Sequence, residues 1–409
     1  MNPVLVFLES SDVGAAYSAE AAHRLGYEAL FLVTPRNYQG DTRAQLEAFR
    51  CLECDTYDVA AMAARLESAG VHDVVGVMTF LDSRLVPAFE LASRLGVPGP
   101  DAAVARLKDK AHVTRLISEH SPLSIEFSRR QVPLDRLARL LGVCDRIVVK
   151  PTKTAGALGM KVFTLANLEN IPAHVVNAAL PGGLDDGQWV AQVFLDGPLY
   201  SLEGYVSAGR VCFLGVSDRR KVGSTESRLR FPSESELGDQ GRRDAESAVA
   251  KLVERSGFRD GFFHVEFIYS EGRPWIIDAN VGRLGGGPLG EMIPLSFGIE
   301  VEDFFAFVID VSLFGGRRFD ATRLFSRPRV KTQGLCYGSE VAGVLSAVRW
   351  PGVLRSRHTR IVDLGTRVPA MGGDNWGWIG LLSGIAGDTE AEASAGALRI
   401  DDEDRPLCY

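Results

Sequence analysis

The sequence predicts a chain of α/β and α+β class. An N-terminal doubly wound parallel-sheet domain is followed by a small antiparallel lid and a larger antiparallel C-terminal domain. Three observations predict it. Over roughly the first hundred residues, apolar runs of strand length alternate with helically spaced segments that close on glycine, the pattern of parallel βαβ units. From Ile147 onward the apolar runs shorten and are separated by polar or glycine turns, which is hairpin spacing. Late in the chain, two strands of mainly apolar residues, FFHVEFIY and PWIIDA, each carry a carboxylate and are joined by a tight turn.

The elements follow in order. VLVFL (4–8) is a first strand, SAEAAHRLG (18–26) a helix, and ALFLV (29–33) a second strand. VVGVM (74–78) is a third strand, and SRLVPAFELASRLG (83–96) a helix that closes on Gly96. The turn after the first strand, ESSDVG, lacks the GxGxxG fingerprint of a dinucleotide site and is expected to line a substrate crevice at the strand ends. A helix is expected over about 101–119, holding Lys108, Asp109 and Lys110. The short strands IVVK, MKVF, WVAQVF, LYSLEGYV and RVCFLGV follow, then a helix over about 240–256. FFHVEFIY (262–269) and PWIIDA (274–279) form a hairpin about EGR. The last stretch mixes strands with a terminal helix (389–399), and the acidic tail after 400 is expected to fray. The domains are accordingly 1–105, 106–195 (linker helix and lid) and 196–409, with a closing lobe from about 320.

Bulk properties narrow the function. A chain of 409 residues is long enough for two or three domains, and 46% apolar with 24% charged residues is an ordinary globular balance. A net charge of −7 without a long basic run argues against a nucleic-acid partner. No apolar run reaches membrane-spanning length, and the first residues lack the basic start of a signal peptide. The six cysteines are scattered, and the Cys51–Cys54 pair has no second pair or nearby histidine to complete a zinc set. A reducing, cytoplasmic compartment is therefore expected.

Glu266 interrupts an apolar strand and Asp278 ends the next, with Asn280 two residues on. Carboxylates in such runs are costly unless paired or bound to a cation. On adjacent antiparallel strands these three can offer oxygen donors on one face, which suits Mg²⁺; the alternative is a solvated sheet face. Arg283 lies among the glycines of NVGRLGGGPLG (280–290), where backbone can approach a ligand and a guanidinium can grip a carboxylate or phosphate; an exposed turn is the bland reading. Lys150 ends the strand IVVK, and Thr152, Thr154, Gly156 and Gly159 follow. That stretch can contact phosphates through side chains and backbone N–H groups, or can be a hairpin whose lysine merely reaches solvent. GxxxxGK[ST], kinase HRD and DFG, and GxSxG are all absent.

In collinear order, a DK lysine, a VVKP lysine with a small-residue loop, a hinge strand, HVEF and IIDAN with its glycine-rich arginine turn resemble the ATP-grasp superfamily. The carboxylate–amine ligase branch, which includes L-amino-acid (dipeptide) ligases, is the most similar, and the resemblance covers most of the chain. It implies that Lys110 and Lys150 contact ATP phosphates and that Thr154 to Gly159 is a mobile cover. Gln192, Val193, Phe194 and Leu195 match the adenine-reading hinge, with Gln192 where the family commonly has Glu. Glu203 matches a glutamate near the ribose or metal. Glu266, Asp278 and Asn280 match the Mg²⁺ ligands (Mn²⁺ being the substitute), with Asp278 replacing the commoner Glu. Arg283 matches the arginine that holds the reacting carboxylate or acyl phosphate, one residue further from the asparagine than usual. Arg219, Lys221, Arg228 and Gly286 are the substrate-side candidates.

The activity implied is an ATP-dependent carboxylate–amine ligase that forms an amide through an acyl phosphate. Its partners are a small carboxylate and an amine, with a homodimer as a compatible assembly. A carboxylase or purine-type ligase, and a nucleotide-binding relative without turnover, are the alternatives left open.

Overall fold

The computed structural model describes residues 3–34, 38–154, 156–180, 184–327, 329–373 and 377–409. Strands β1 (Val4–Leu8), β2 (Glu28–Val33), β3 (Cys51–Glu53) and β4 (Val74–Met78) pair in parallel in the order β3-β2-β1-β4. β1 is buried along its whole length, and its period of two divides it between two cores. Leu5 and Phe7 join the aromatic cluster that includes helix Val301–Phe314, whereas Val4, Val6 and Leu8 lie under helices Val59–Ser68 and Leu85–Leu95. Both faces are thus covered, as expected for a doubly wound sheet. Cys51 opens β3, and it and Cys54 are free thiols.

The single helix expected over 101–119 is two short ones, Val104–Leu107 and Lys110–Leu116. Asp109 divides them: its extended backbone and its carboxylate, which accepts from the N–H groups of Ala111 and His112, restart the helix at Lys110. The lid is an antiparallel sheet of β5 (Ser124–Ser128), β6 (Ile147–Pro151), β7 (Lys161–Phe163) and β8 (Gln188–Val193), ordered β5-β8-β6-β7. Ile147, Val149, Phe163 and Trp189 form its core with helices Leu134–Leu141 and Ile171–Asn177.

Six further strands form the body of the C-terminal domain: β9 (Leu199–Ser207), β10 (Arg210–Val222), β11 (Thr225–Phe231), β12 (Gly261–Ser270), β13 (Arg273–Val281) and β14 (Thr332–Tyr337). After them come β15 (Gly343–Arg349), β16 (Arg357–Arg360), β17 (Arg367–Val368), β18 (Gly380–Ile385), β19 (Ala397–Ile400) and β20 (Glu403–Pro406). The large sheet runs β13-β12-β9-β10-β11-β14-β18-β16, and a smaller one runs β17-β15-β19-β20. Helix Glu234–Ser256 covers one face through Leu237, Ala245, Val249 and Leu252. It begins before the expected residue 240 because a positive-φ break at Gly238 joins an extra turn to it. The other face buries Phe262 edge-on against Phe304 and Phe307. No helix among the described residues is long and apolar enough to cross a membrane.

The C-terminal expectation needs correction. The terminal helix is Ala386–Ala395, and the acidic tail is not frayed: β19 and β20 form a hairpin. Its turn places Asp401 and Asp402 at φ 47° and 67°, which aspartate tolerates better than most residues. The Asp401 carboxylate accepts from the Val344 N–H at 2.8 Å, and Arg349 donates to both Asp404 oxygens at 3.0 and 3.1 Å. Local anchors therefore outweigh the repulsion that acidic composition suggested. Deleting residues 401–409, which also removes the buried Leu407, should lower the melting temperature by several degrees in a thermal scan. A frayed tail would leave it unchanged.

Candidate active site

The β12–β13 hairpin sets Glu266 directly opposite Asp278, and His264 opposite Asn280. Period two puts all four on one face of the sheet. β9 continues that face, with Glu203 opposite His264 and Ser201 opposite Glu266. Glu266 and Asp278 line a crevice between sheet and lid, together with Lys110, Lys150, Arg219 and Lys221.

The lid and linker supply two cations. Lys150, near the end of β6, donates from Nζ to the Ile277 carbonyl at 2.9 Å, one residue from Asp278. Its burial, and then the nearby Lys110, pull its pKa down to about 8. Lys110 Nζ is 3.2 Å from Asp278 Oδ1 and donates to the Thr154 carbonyl at 2.7 Å, joining the lid loop to the hairpin. Burial opposes ionisation of Asp278, but the lysines outweigh both burial and Glu266, so its pKa falls below the usual carboxylate value. Thr154 Oγ1 donates to the Leu158 carbonyl, and Gly156 lines the crevice. Ala155, within the expected cover, lies outside the described residues. The Gly159 carbonyl instead accepts from His174 Nε2 at 2.9 Å.

The floor is a chain of buried charges. His264 Nδ1 lies 2.8 and 2.9 Å from the two Glu203 oxygens, and its Nε2 is 3.4 Å from Glu266 Oε1. Arg219 NH1 is 3.0 Å from Glu266 Oε1, and its NH2 pairs with Glu226. Burial resists the Glu266 charge, yet Arg219, His264 and Lys221 together hold its pKa well below the carboxylate range. Glu203 accepts from Ser201 Oγ at 2.7 Å and is 1% exposed, so it sits beneath His264 as a support.

At the hinge, the Val193 and Phe194 amides are already spent on the Leu123 and Arg146 carbonyls. Gln192 is buried and donates to Thr114 Oγ1 at 3.3 Å. The Leu195 amide, just past the end of β8, has no hydrogen-bond partner among the described residues. Arg283 follows Gly282 (φ 100°), donates to the Leu284 carbonyl at 2.8 Å, and places Nε 3.6 Å from Asp82 Oδ1. A Cβ at Gly286 would lie 3.7 Å from Arg283 NH1.

Lys110, Lys150, Thr154, Gly156, Glu266, Asp278, Arg219 and Lys221 thus converge on one crevice. Arg228 does not. Its neighbour Leu229 pairs with Arg219, so strand alternation turns Arg228 to the opposite face, where it is 3.9 Å from Glu390. Sequence reasoning missed His264, Glu226, Asp82 and the pairing of Lys108 with Asp82. Only His264 left a signal, since it shares a strand face with Glu266 in HVEF.

Among the described residues, no group of three or more His, Cys, Asp or Glu could hold a metal unaided. The two ionised carboxylates in one crevice do fit Mg²⁺, which takes one or two carboxylates and completes its shell with phosphates and water. Asn280 is buried further along the same face.

No family model and no curated protein matches the chain. Solved structures do. The L-amino acid ligase from Bacillus licheniformis is 19% identical, with a TM-score of 0.74 over 95% of both chains. Phosphoribosylglycinamide synthetase from Anaerococcus prevotii is 14% identical, with a TM-score of 0.68 over 98% of this chain and 100% of its own. The biotin carboxylase domain of Hydrogenobacter thermophilus 2-oxoglutarate carboxylase, a dimer in complex with MgADP, ADP and bicarbonate, is 15% identical. Its TM-score is 0.69 over 100% of this chain and 92% of its own. The chain shares their fold over nearly its whole length.

Two predictions follow from the geometry. A Cβ at Gly285 would stand 2.6 Å from Leu289 Cδ1 and 2.9 Å from His264 Nδ1. Gly285→Ala should therefore cost about 1–3 kcal/mol by overpacking, measured by chemical denaturation. Lys150 has a folded pKa below its ordinary 10.5, so between about pH 8 and 10.5 the unfolded chain binds the extra proton. Stability from this group rises with pH through that window, by up to about 1.4 kcal/mol per pH unit. Lys150→Met should remove that share of the slope in unfolding curves taken across the window.

Proposed function

We propose that this chain, which has the ATP-grasp fold, is an ATP-dependent carboxylate–amine ligase. One observation carries the reading: Lys110 and Lys150, from linker and lid, meet the Glu266–Asp278 pair across one crevice. Two cations facing two carboxylates make a site that a magnesium-bound polyphosphate can enter by exchanging partners. The phosphates take the lysines, and the carboxylates are freed for the metal. The known folds support the same chemistry, since one is an L-amino acid ligase and another was captured with MgADP.

The reaction runs in two steps. A substrate carboxylate oxygen attacks the γ-phosphorus of ATP, the bond to the β-phosphate bridging oxygen breaks, and ADP leaves an acyl phosphate. An amine, most simply that of an amino acid, then attacks the acyl carbon, loses a proton and expels inorganic phosphate to form the amide. Lys110 and Lys150 bind the transferring phosphates, and the Thr154–Gly159 loop closes over them to exclude water from the acyl phosphate. The Leu195 amide and Val193 carbonyl read the adenine edge beside Gln192, while Phe194, which stacks under Arg146, shapes the hinge. Glu266, Asp278 and Asn280 hold Mg²⁺, with Mn²⁺ as a substitute. The ion, when bound, neutralises phosphate charge. Arg283 grips the carboxylate and then the acyl phosphate, and Gly286 leaves room beside it. Arg219 keeps Glu266 ionised and in place, and Lys221 faces the substrate side of the crevice.

A pairwise screen of carboxylates and amines, scored by ATP-dependent phosphate release and product mass, identifies the substrates. With an active pair, Lys150→Met and Glu266→Gln should each lower ADP release by at least about a hundredfold with the fold retained by circular dichroism. Wild-type-like turnover in either variant overturns the site. A protein that binds MgATP but releases no phosphate with any pair overturns the ligase reading.

A further inference from the structure

Asp82 begins a single 3₁₀ turn just after β4, at the C-terminal edge of the parallel sheet, and its carboxylate is 8% exposed. It belongs to the N-terminal domain but faces two cations from elsewhere. Lys108, in the linker just before Lys110, forms an ion pair with its Oδ2. Arg283, in the glycine-rich turn of the C-terminal domain, has Nε 3.6 Å from its Oδ1. All three side chains are largely buried.

Arg283 lies in a glycine-rich turn, after Gly282 at φ 100° and before the run from Gly285, so the glycines around it offer no side chains to orient it. Two contacts do the restraining. NH1 donates to the Leu284 carbonyl at 2.8 Å, and Nε, without a hydrogen bond among the described residues, faces Asp82. With those edges held, the NH2 edge is left for an oxyanion. Asp278 and Glu266 are the carboxylates that act most strongly on Arg283, so without the Asp82 contact at Nε the guanidinium would be drawn toward them.

We propose that Asp82 is a positioning residue: it reaches across from the N-terminal domain to hold Arg283 at the place where the substrate carboxylate and the acyl phosphate bind. This rests on the ligase reading above. It adds that the anion site is incomplete unless the N-terminal domain is docked against the other two. Lys108 occupies the other carboxylate oxygen of Asp82.

The test uses the full chain loaded with MgADP, with inorganic phosphate as the probe of the Arg283 site, both titrated calorimetrically. Asp82→Asn should weaken phosphate about tenfold or more and leave MgADP affinity within about twofold. In an Arg283→Ala background the same change should add nothing, because the group it positions is gone. Should Asp82→Asn fold poorly, the double variant Asp82→Asn/Lys108→Met removes the stranded lysine charge and should still show the full loss. Unchanged phosphate affinity in Asp82→Asn overturns the proposal, as does recovery of affinity in the double variant or a parallel fall in MgADP binding. Wild-type protein that binds MgADP but not phosphate overturns the anion role of Arg283 and this inference with it. Wild-type protein that binds no MgADP overturns the proposed function itself.

Discussion

Glu266 and Asp278 are set side by side in a hairpin of mainly apolar residues, where burial and mutual repulsion both favour their neutral forms. They ionise because cations arrive from segments far apart in sequence: Lys110 from the linker, Lys150 from the lid, Arg219 from β10. Each cation has the same need in reverse, since an unpaired buried lysine or arginine is strongly destabilising. The lid, the linker and the large sheet are therefore held in register by charges that none of them could bury alone. Linker and large sheet share one apolar core, and the parallel sheet shares another with the C-terminal domain, whereas the lid has its own; this cluster is what ties the lid to the rest at the crevice.

That balance also leaves the crevice lysines resting on oxygen atoms. Lys150 donates to the Ile277 carbonyl, and Lys110 to the Thr154 carbonyl beside its pairing with Asp278. Below them, Glu203 is engaged by both His264 and Ser201. The crevice thus has lysines from lid and linker above a floor of paired buried charges.

Much of this was legible in the residues. β1, β2, β4 and the β12–β13 hairpin follow from apolar runs and turn chemistry, because period-two patterning is local. Lys150, Glu266 and Asp278 could be singled out because each interrupts an apolar strand or ends one, and Lys110 by its place in the collinear order. The linker helix was misjudged because Asp109 caps a new helix where helical spacing alone suggested continuity. The tail was misjudged because composition cannot show that Asp401 and Asp404 have partners on β15. Arg228 was misplaced because a register shift between Arg220 and Lys221 determines which arginines of β10 and β11 face inward.

By itself, the sequence determined the fold class, the strand that presents Glu266, the strand that presents Asp278, and the small-residue loop after Lys150. All of these depend on contacts within a few residues or on alternation along one element. Only the tertiary structure decided which charges meet. Asp82 and Arg283 are two hundred residues apart by order of magnitude, and nothing local to either marks it as the other's partner. Lys108 resembles any linker lysine until Asp82 is brought beside it. Burial creates that dependence: in water these charges would be screened and indifferent to one another, and inside the protein each must find its opposite.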